Sequence, residues 1–148
     1  MGRYAKDTKV PVEKSRGDIS AILTRYGCVR MAWATEPSGD TLHFELDGRS
    51  FRFSIIRPTS ESMRTDHAHE YAYPHNIDWE AKAEQEWRRR WRAHVLLLKA
   101  KLEFVDGGDT TIVREFMANL LTPDGRTVGE VVLDGGIPQL PAVATGSS

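Results

Sequence analysis

The densest group of chemically capable side chains is a run of arginines interleaved with tryptophans. It occupies six consecutive positions: Trp87, Arg88, Arg89, Arg90, Trp91 and Arg92. Several forked guanidinium donors close together are typical of phosphate binding. On a helix they would fan around the cylinder, because successive residues are about 100° apart. The run predicts a nucleic-acid contact, with the tryptophans in the core. The alternative is that the arginines pair with Glu84, Glu86 and other acids.

Further basic residues extend this candidate nucleic-acid interface. Arg49, Arg52 and Arg57 follow one another along a predicted hairpin, and Lys14 and Arg16 belong to a basic N-terminal segment. Single-strand binders combine such cations with aromatic rings that stack on bases. Here the nearby phenylalanines fall on the apolar face of the hairpin, so we expect them in the core. The nine expected phosphate contacts are Lys14, Arg16, Arg49, Arg52, Arg57, Arg88, Arg89, Arg90 and Arg92.

Other reactive residue types lack a specific motif. His67, His69 and His75 lie near acids, and His-X-His places two imidazoles on one face of a strand, so metal binding is one possible use. The spacing matches no established metal motif, and a polar loop is the preferred interpretation. Cys28 has no adjacent base and reads as a small buried residue. We therefore expect no catalytic residues, no metal and no cofactor, and a non-enzyme more readily than an enzyme.

Composition sets the protein class. The chain has 148 residues, 40% of them hydrophobic and 28% charged, with a formal net charge of −1. Charge is arranged in blocks, because residues 1–30 carry seven Lys or Arg against three acids, whereas residues 31–48 carry four acids and no base. A single cysteine excludes a disulfide framework and a cysteine-rich zinc site. No apolar run approaches the roughly 20 residues of a membrane span, and no signal peptide is evident. A cytoplasmic protein without a membrane partner is the expectation.

Periodicity predicts the elements that position these residues. An apolar stripe indicates a helix from Ser15 to Tyr26, and a strand follows from Cys28 to Thr35. Asp47-Gly48 is a preferred type I′ turn pair, so residues 41–56 form a hairpin in which Phe44 faces Phe51. Residues 57–78 read as a loop.

The second half of the chain is predicted to be mostly helical. A long helix begins at Asp78 or Trp79 and ends at Val105, and a short helix covers residues 110–118. A turn at Pro123-Asp124-Gly125 indicates a small C-terminal hairpin of residues 120–122 and 126–133. The expected fold is α+β: an N-terminal helix, a three-stranded antiparallel β-meander, one long helix, a short helix and this hairpin. Its domain spans residues 15–133, between a basic arm (1–14) and a flexible tail (134–148).

The long helix is apolar on both sides in its second half. One side continues the stripe of Trp87 and Trp91, and the other side carries Ala93, Leu96, Leu97, Ala100 and Phe104. A helix that is apolar on two sides is buried on two sides. The second side predicts either an oligomer interface or a cover formed by the C-terminal segment.

Six short motifs are spread over residues 10–133: Val10–Arg16, Arg25–Gly27, Gly48–Phe53, Trp87–Ala93, Lys99–Glu103 and Thr122–Glu130. Together they resemble a family of uncharacterised phage and mobile-element proteins, which implies a phage or integrated-element context and no particular activity. In outline the predicted fold is also similar to the β-β-β-α core of phage single-strand annealing proteins. That likeness implies an oligomeric ring or filament that holds single-stranded DNA in a basic groove.

Three hypotheses for function follow. The leading one is a phage or mobile-element protein that binds single-stranded DNA as a homo-oligomer, with single-strand annealing in recombination as its most specific form. The second is a protein-binding inhibitor of a host factor, or a small virion component. The third is a metal-dependent enzyme built on His67, His69 and His75.

Overall fold

The computed structural model describes residues 8–67 and 76–136 of the chain. Its elements are α1 (Val12–Arg25), β1 (Arg30–Glu36), β2 (Gly39–Leu46), β3 (Arg49–Ile56), α2 (Ser60–His67), α3 (Trp79–Asp106), α4 (Ile112–Phe116), a 3₁₀ turn (Met117–Asn119) and α5 (Val128–Asp134). This order confirms the predicted α+β class, with one meander and one long helix.

Helix α1 begins three residues before the predicted start. Pro11 occupies the N-cap position in an extended conformation, and its lack of an N–H costs nothing there. The last residues of the expected basic arm are therefore helical, and residues 1–7 lie outside the described ranges. Gly27, at φ 99°, ends the helix as predicted, because only glycine adopts that conformation readily.

The sheet is an antiparallel meander in the order β1-β2-β3. Asp47 and Gly48 both have positive φ, and the predicted register is confirmed: Phe44 pairs with Phe51 and Leu42 with Phe53. One face of the sheet carries the buried aromatic and aliphatic side chains, because the register set by the two-residue turn places these alternate residues on the same side.

Helix α3 crosses that apolar face. Its N-cap is Asp78, whose carboxylate accepts a hydrogen bond from the Ala81 N–H at 3.0 Å. The buried row of α3 comprises Ala83, Trp87, Trp91, Val95, Leu98 and Leu102. Both tryptophans are core residues, as predicted, and α1 packs beside them against α3.

The prediction of a loop over residues 57–78 is wrong in part, since α2 lies within it. Thr59 and Ser62 cap this helix reciprocally: each side-chain oxygen accepts the other residue's N–H, at 2.9 and 3.0 Å. Met63 is buried and anchors α2 beside α3. Residues 68–75 lie outside the described ranges.

The C-terminal region departs most from prediction. The short helix is confirmed as α4 and its 3₁₀ turn, but the second hairpin is wrong, because only Leu121 and Thr127 form a bridge before α5 begins. Thr127 and Glu130 form a capping box, with backbone–side-chain distances of 2.9 and 3.1 Å. Thr-x-x-Glu is a helix-start pattern, and it prevails over the β-branched valines that follow. Nearly all of the predicted tail lies outside the described ranges.

Candidate functional site

Nearly all of the side chains expected to bind nucleic acid have carboxylate partners. Eight of the nine lie within 3.5 Å of one, in the pairs Lys14–Asp18, Arg16–Asp40, Arg49–Asp47, Arg52–Glu130, Arg57–Glu84, Arg89–Glu86, Arg90–Glu86 and Arg92–Asp18. The ninth, Arg88, donates to the Gln85 amide oxygen at 2.7 Å. These cations are therefore paired within the fold instead of forming one free basic surface.

Glu86 is the acceptor for the arginine-rich turn of α3. Arg89 donates two hydrogen bonds of 2.8 Å to its carboxylate, and Arg90 donates a third at 3.1 Å. Burial raises the pKa of Glu86, but these hydrogen bonds outweigh it and hold the pKa below its ordinary value. Arg90 also donates to the Ile56 carbonyl at 2.7 Å. Both arginines are thus held in place by their own chain.

Asp18 joins α1 to α3. It accepts from Arg92 at 2.7 Å and from Lys14 at 3.3 Å, and the hydrogen bond from Arg92 is the main reason that its pKa is lowered. The pair Arg92–Asp18 spans 74 residues of sequence. This contact fixes the angle between the two helices and leaves Arg92 about a quarter exposed.

Arg16 is engaged in contacts within the fold. Its guanidinium donates to buried Asp40 at 2.8 Å and lies 5.4 and 5.1 Å from the ring centres of Trp33 and Trp91. Such cation–π contacts strengthen as water is excluded. Arg16 therefore ties the start of β2 to α1 beneath two aromatic rings, and its charge is directed inward.

Arg52 connects the sheet to α5. It donates to Glu130 at 2.7 Å and to the Gly125 carbonyl at 3.0 Å. The pKa of Glu130 is lowered first by the Thr127 N–H and then by Arg52. Glu130 thus serves the helix cap and the ion pair together; the sequence pattern Thr-x-x-Glu could have indicated the cap but not the ion pair.

One cleft retains unpaired positive charge. It has a volume of about 530 Å³ and lies between the residues that precede α1 and the first turns of α3. Lys9 and Arg88 line it, and neither pairs with a carboxylate of the described residues. Arg57, the third cation, lies over the Trp87 ring at 5.3 Å and has only an exposed 3.5 Å contact with Glu84.

The outer side of α3 is exposed where the sequence predicted a second buried side. Leu97 is 42% and Phe104 57% exposed, Ala100 is exposed, and Ala93 and Leu96 are half-buried. No described segment covers these two large side chains. This outer face of α3, defined by these five residues, is an unpartnered helix face within the described residues.

The remaining reactive residues do not converge. Within the described ranges no group of three His, Cys, Asp or Glu could hold a metal ion. His67 contacts the Met63 carbonyl at 3.0 Å, while His69 and His75 lie outside those ranges. The buried Cys28 thiol donates to the Arg30 carbonyl at 3.1 Å. These contacts assemble no nucleophile with a base.

In the described parts of the chain, no helix has both the length and the apolar composition that a bilayer crossing demands. No protein-family model matches the sequence, and comparisons with curated proteins and with solved structures find no match either. Functional assignment therefore depends on the geometry of this chain.

Proposed function

We propose that this protein is a non-enzymatic, cytoplasmic protein-binding module whose partner docks an amphipathic helix on the outer face of α3. The exposure of Leu97 and Phe104 carries the proposal. Water contact on two large apolar side chains is unfavourable. Since each is already about half buried, burying the rest is worth roughly half of the about 1.5–3 kcal/mol for complete burial.

The spacing of this face suits a helical partner. Ala93, Leu97, Ala100 and Phe104 are separated by four, three and four residues, which is the alternation of a helix–helix seam. The two alanines permit close approach of a second backbone, and the leucine and phenylalanine supply the anchors. Exposed Lys99 and Glu103 give the seam a polar rim, as protein interfaces have.

Co-purification tests this function. The double variant Leu97→Ser/Phe104→Ser is compared with Val29→Ser/Leu133→Ser, which removes two other exposed apolar side chains, neither of them on α3. We expect wild type and control to retain one stoichiometric protein from cells that encode the chain, and the α3 variant to lose it. Equal retention by both variants would contradict the proposal.

Single-stranded DNA binding is the second candidate, and the cleft with Lys9, Arg57 and Arg88 is the observation that favours it. With about three phosphate contacts, affinity should fall roughly 20-fold when salt rises about fourfold. A polarisation titration of an oligothymidylate compares Arg88→Ala with Arg49→Ala, whose arginine lies outside the cleft. Loss confined to the Arg88 variant supports this candidate; binding that is absent at low salt, or insensitive to salt, rejects it.

A further inference from the structure

The two edges of the sheet differ in how their backbone groups are satisfied. In a hairpin with a two-residue loop, the flanking residues form a hydrogen-bonded pair, and hydrogen-bonded pairs then alternate along the strands. Glu36 pairs with Gly39, so the even-numbered residues of β1 bond to β2. The N–H and C=O groups of Met31, Trp33 and Thr35 therefore point away from the sheet.

The β3 edge is closed by the chain itself. The same alternation directs the four even-numbered residues of β3 outward, and the carbonyls of three of them have donors. The Leu121 N–H donates to Ser50 at 2.9 Å, the Asn119 amide to Arg52 at 3.1 Å, and the Arg90 guanidinium to Ile56 at 2.7 Å. One edge strand is thus protected from further pairing.

The β1 edge is open. No backbone of residues 8–67 or 76–136 bonds to the outward groups of Met31, Trp33 and Thr35. The seven-residue strand contains no proline or lysine, which are common means of blocking an exposed edge, and its two charged residues lie at its ends. An unblocked edge of this length is a template for another strand.

The sequence of β1 is complementary to itself when it runs antiparallel. If a second β1 pairs about Trp33, Arg30 of each copy lies opposite Glu36 of the partner subunit, at both ends of the strand. Ala32 and Ala34 then face each other across the exposed side, where their size permits close packing. Three pairs would exchange about six backbone hydrogen bonds, since each hydrogen-bonded pair makes two.

We propose that a second copy of this chain docks on the β1 edge, forming a two-fold dimer with a continuous six-stranded sheet. Charge complementarity selects this occupant over an unrelated extended peptide. Arg30 is available for the contact, because its side chain is 79% exposed and its one ion pair, with Glu45, is long at 3.8 Å. The interface is independent of the outer face of α3 and of the proposed function.

A charge-swap cycle tests the dimer by analytical ultracentrifugation of the full chain. We expect the wild-type protein to have a molar mass in solution of about twice the 16.7 kDa of one chain. Arg30→Glu and Glu36→Arg each place two like-charge pairs at the interface, so each should weaken dimerisation at least about tenfold. The double variant Arg30→Glu/Glu36→Arg restores opposite charges and should regain the wild-type dissociation constant.

Every other result overturns the proposal. A wild type that is monomeric at about 100 μM means that the edge is free or occupied by another segment or partner, because the proposed dimer requires a Kd below this concentration. Dimers insensitive to all three variants place the interface elsewhere. Weakening without rescue by the double variant shows that the charges do not face each other. Leu97→Ser/Phe104→Ser serves as a control and should dimerise like wild type.

Discussion

Ion pairing decides what the arginines of this protein do. Their number suggested phosphate binding, yet six of the nine expected phosphate contacts pair with a carboxylate at 3.3 Å or less. The carboxylates are those of Asp18, Asp40, Glu86 and Glu130. The Glu86 pairs were foreseeable, since i,i+3 and i,i+4 neighbours meet on a helix. The Asp18–Arg92 and Arg52–Glu130 pairs were not, because their partners are 74 and 78 residues apart in sequence.

The most buried of these pairs should matter most to stability. We expect Asp40→Ala to lower the free energy of unfolding by about 3 kcal/mol, because it leaves Arg16 half-buried without a counter-charge. Glu84→Ala, within helix α3, removes the exposed partner of Arg57 and should change the free energy of unfolding by less than about 0.5 kcal/mol. Urea unfolding measures both. Similar values for the two variants would show that Arg16 is solvated adequately without Asp40.

His94 should make stability fall on mild acidification. Burial lowers the pKa of His94 below its ordinary value of 6.5, against a hydrogen bond to the Arg90 carbonyl. The unfolded chain therefore takes up a proton more readily, and the stabilisation present above pH 6.5 is lost as the pH falls through the lowered pKa. We expect His94→Gln to lose less stability than wild type between about pH 7.5 and 5.5. Equal losses in urea unfolding would contradict this.

At the scale of elements, sequence prediction succeeded where two signals agreed. The Asp47-Gly48 turn and the alternation of phenylalanines gave the same register, and that register is the one observed. It failed where a helix lacks an apolar stripe. Helix α2 buries only Met63, and its start is marked by the Thr59–Ser62 cap. In α5 the valines suggested a strand, but a local cap prevailed.

Two glycines should respond oppositely to the same substitution. Gly39 begins β2 at φ 147°, and a Cβ there would lie 2.2 Å from the Ile55 carbonyl oxygen. Gly17 lies within α1, where a Cβ meets nothing within 4 Å. We expect Gly39→Ala to destabilise by about 3 kcal/mol or more and Gly17→Ala to stabilise by about 0.5–1 kcal/mol.

Thermal or urea unfolding of the two alanine variants distinguishes these effects. A small change at Gly39 would mean that the hairpin relaxes around the new side chain. If Gly17→Ala instead lowered the free energy of unfolding, the space beside Gly17 would have to be occupied by another group.

For the whole molecule, the surfaces left unpartnered are more informative than the charges. Cations and carboxylates pair with one another across α1, α3, the sheet and α5. Two unpartnered surfaces are left in the described residues: the apolar outer face of α3 and the open edge of β1. The sequence predicted the apolar composition of the α3 face. The open edge of β1 could not be predicted from the sequence, because only the structure shows which strand edge has no neighbour.

Site-specific photo-crosslinking tests the central claim, that a protein partner docks on the outer face of α3, most directly. A photoreactive residue replaces Leu97 in one variant and Leu133, an exposed apolar residue of α5, in the other. The account predicts that, in cells encoding the chain, the probe at position 97 captures one defined protein and the probe at position 133 does not. Capture of nucleic acid at position 97, or of the same proteins at both positions, would contradict it.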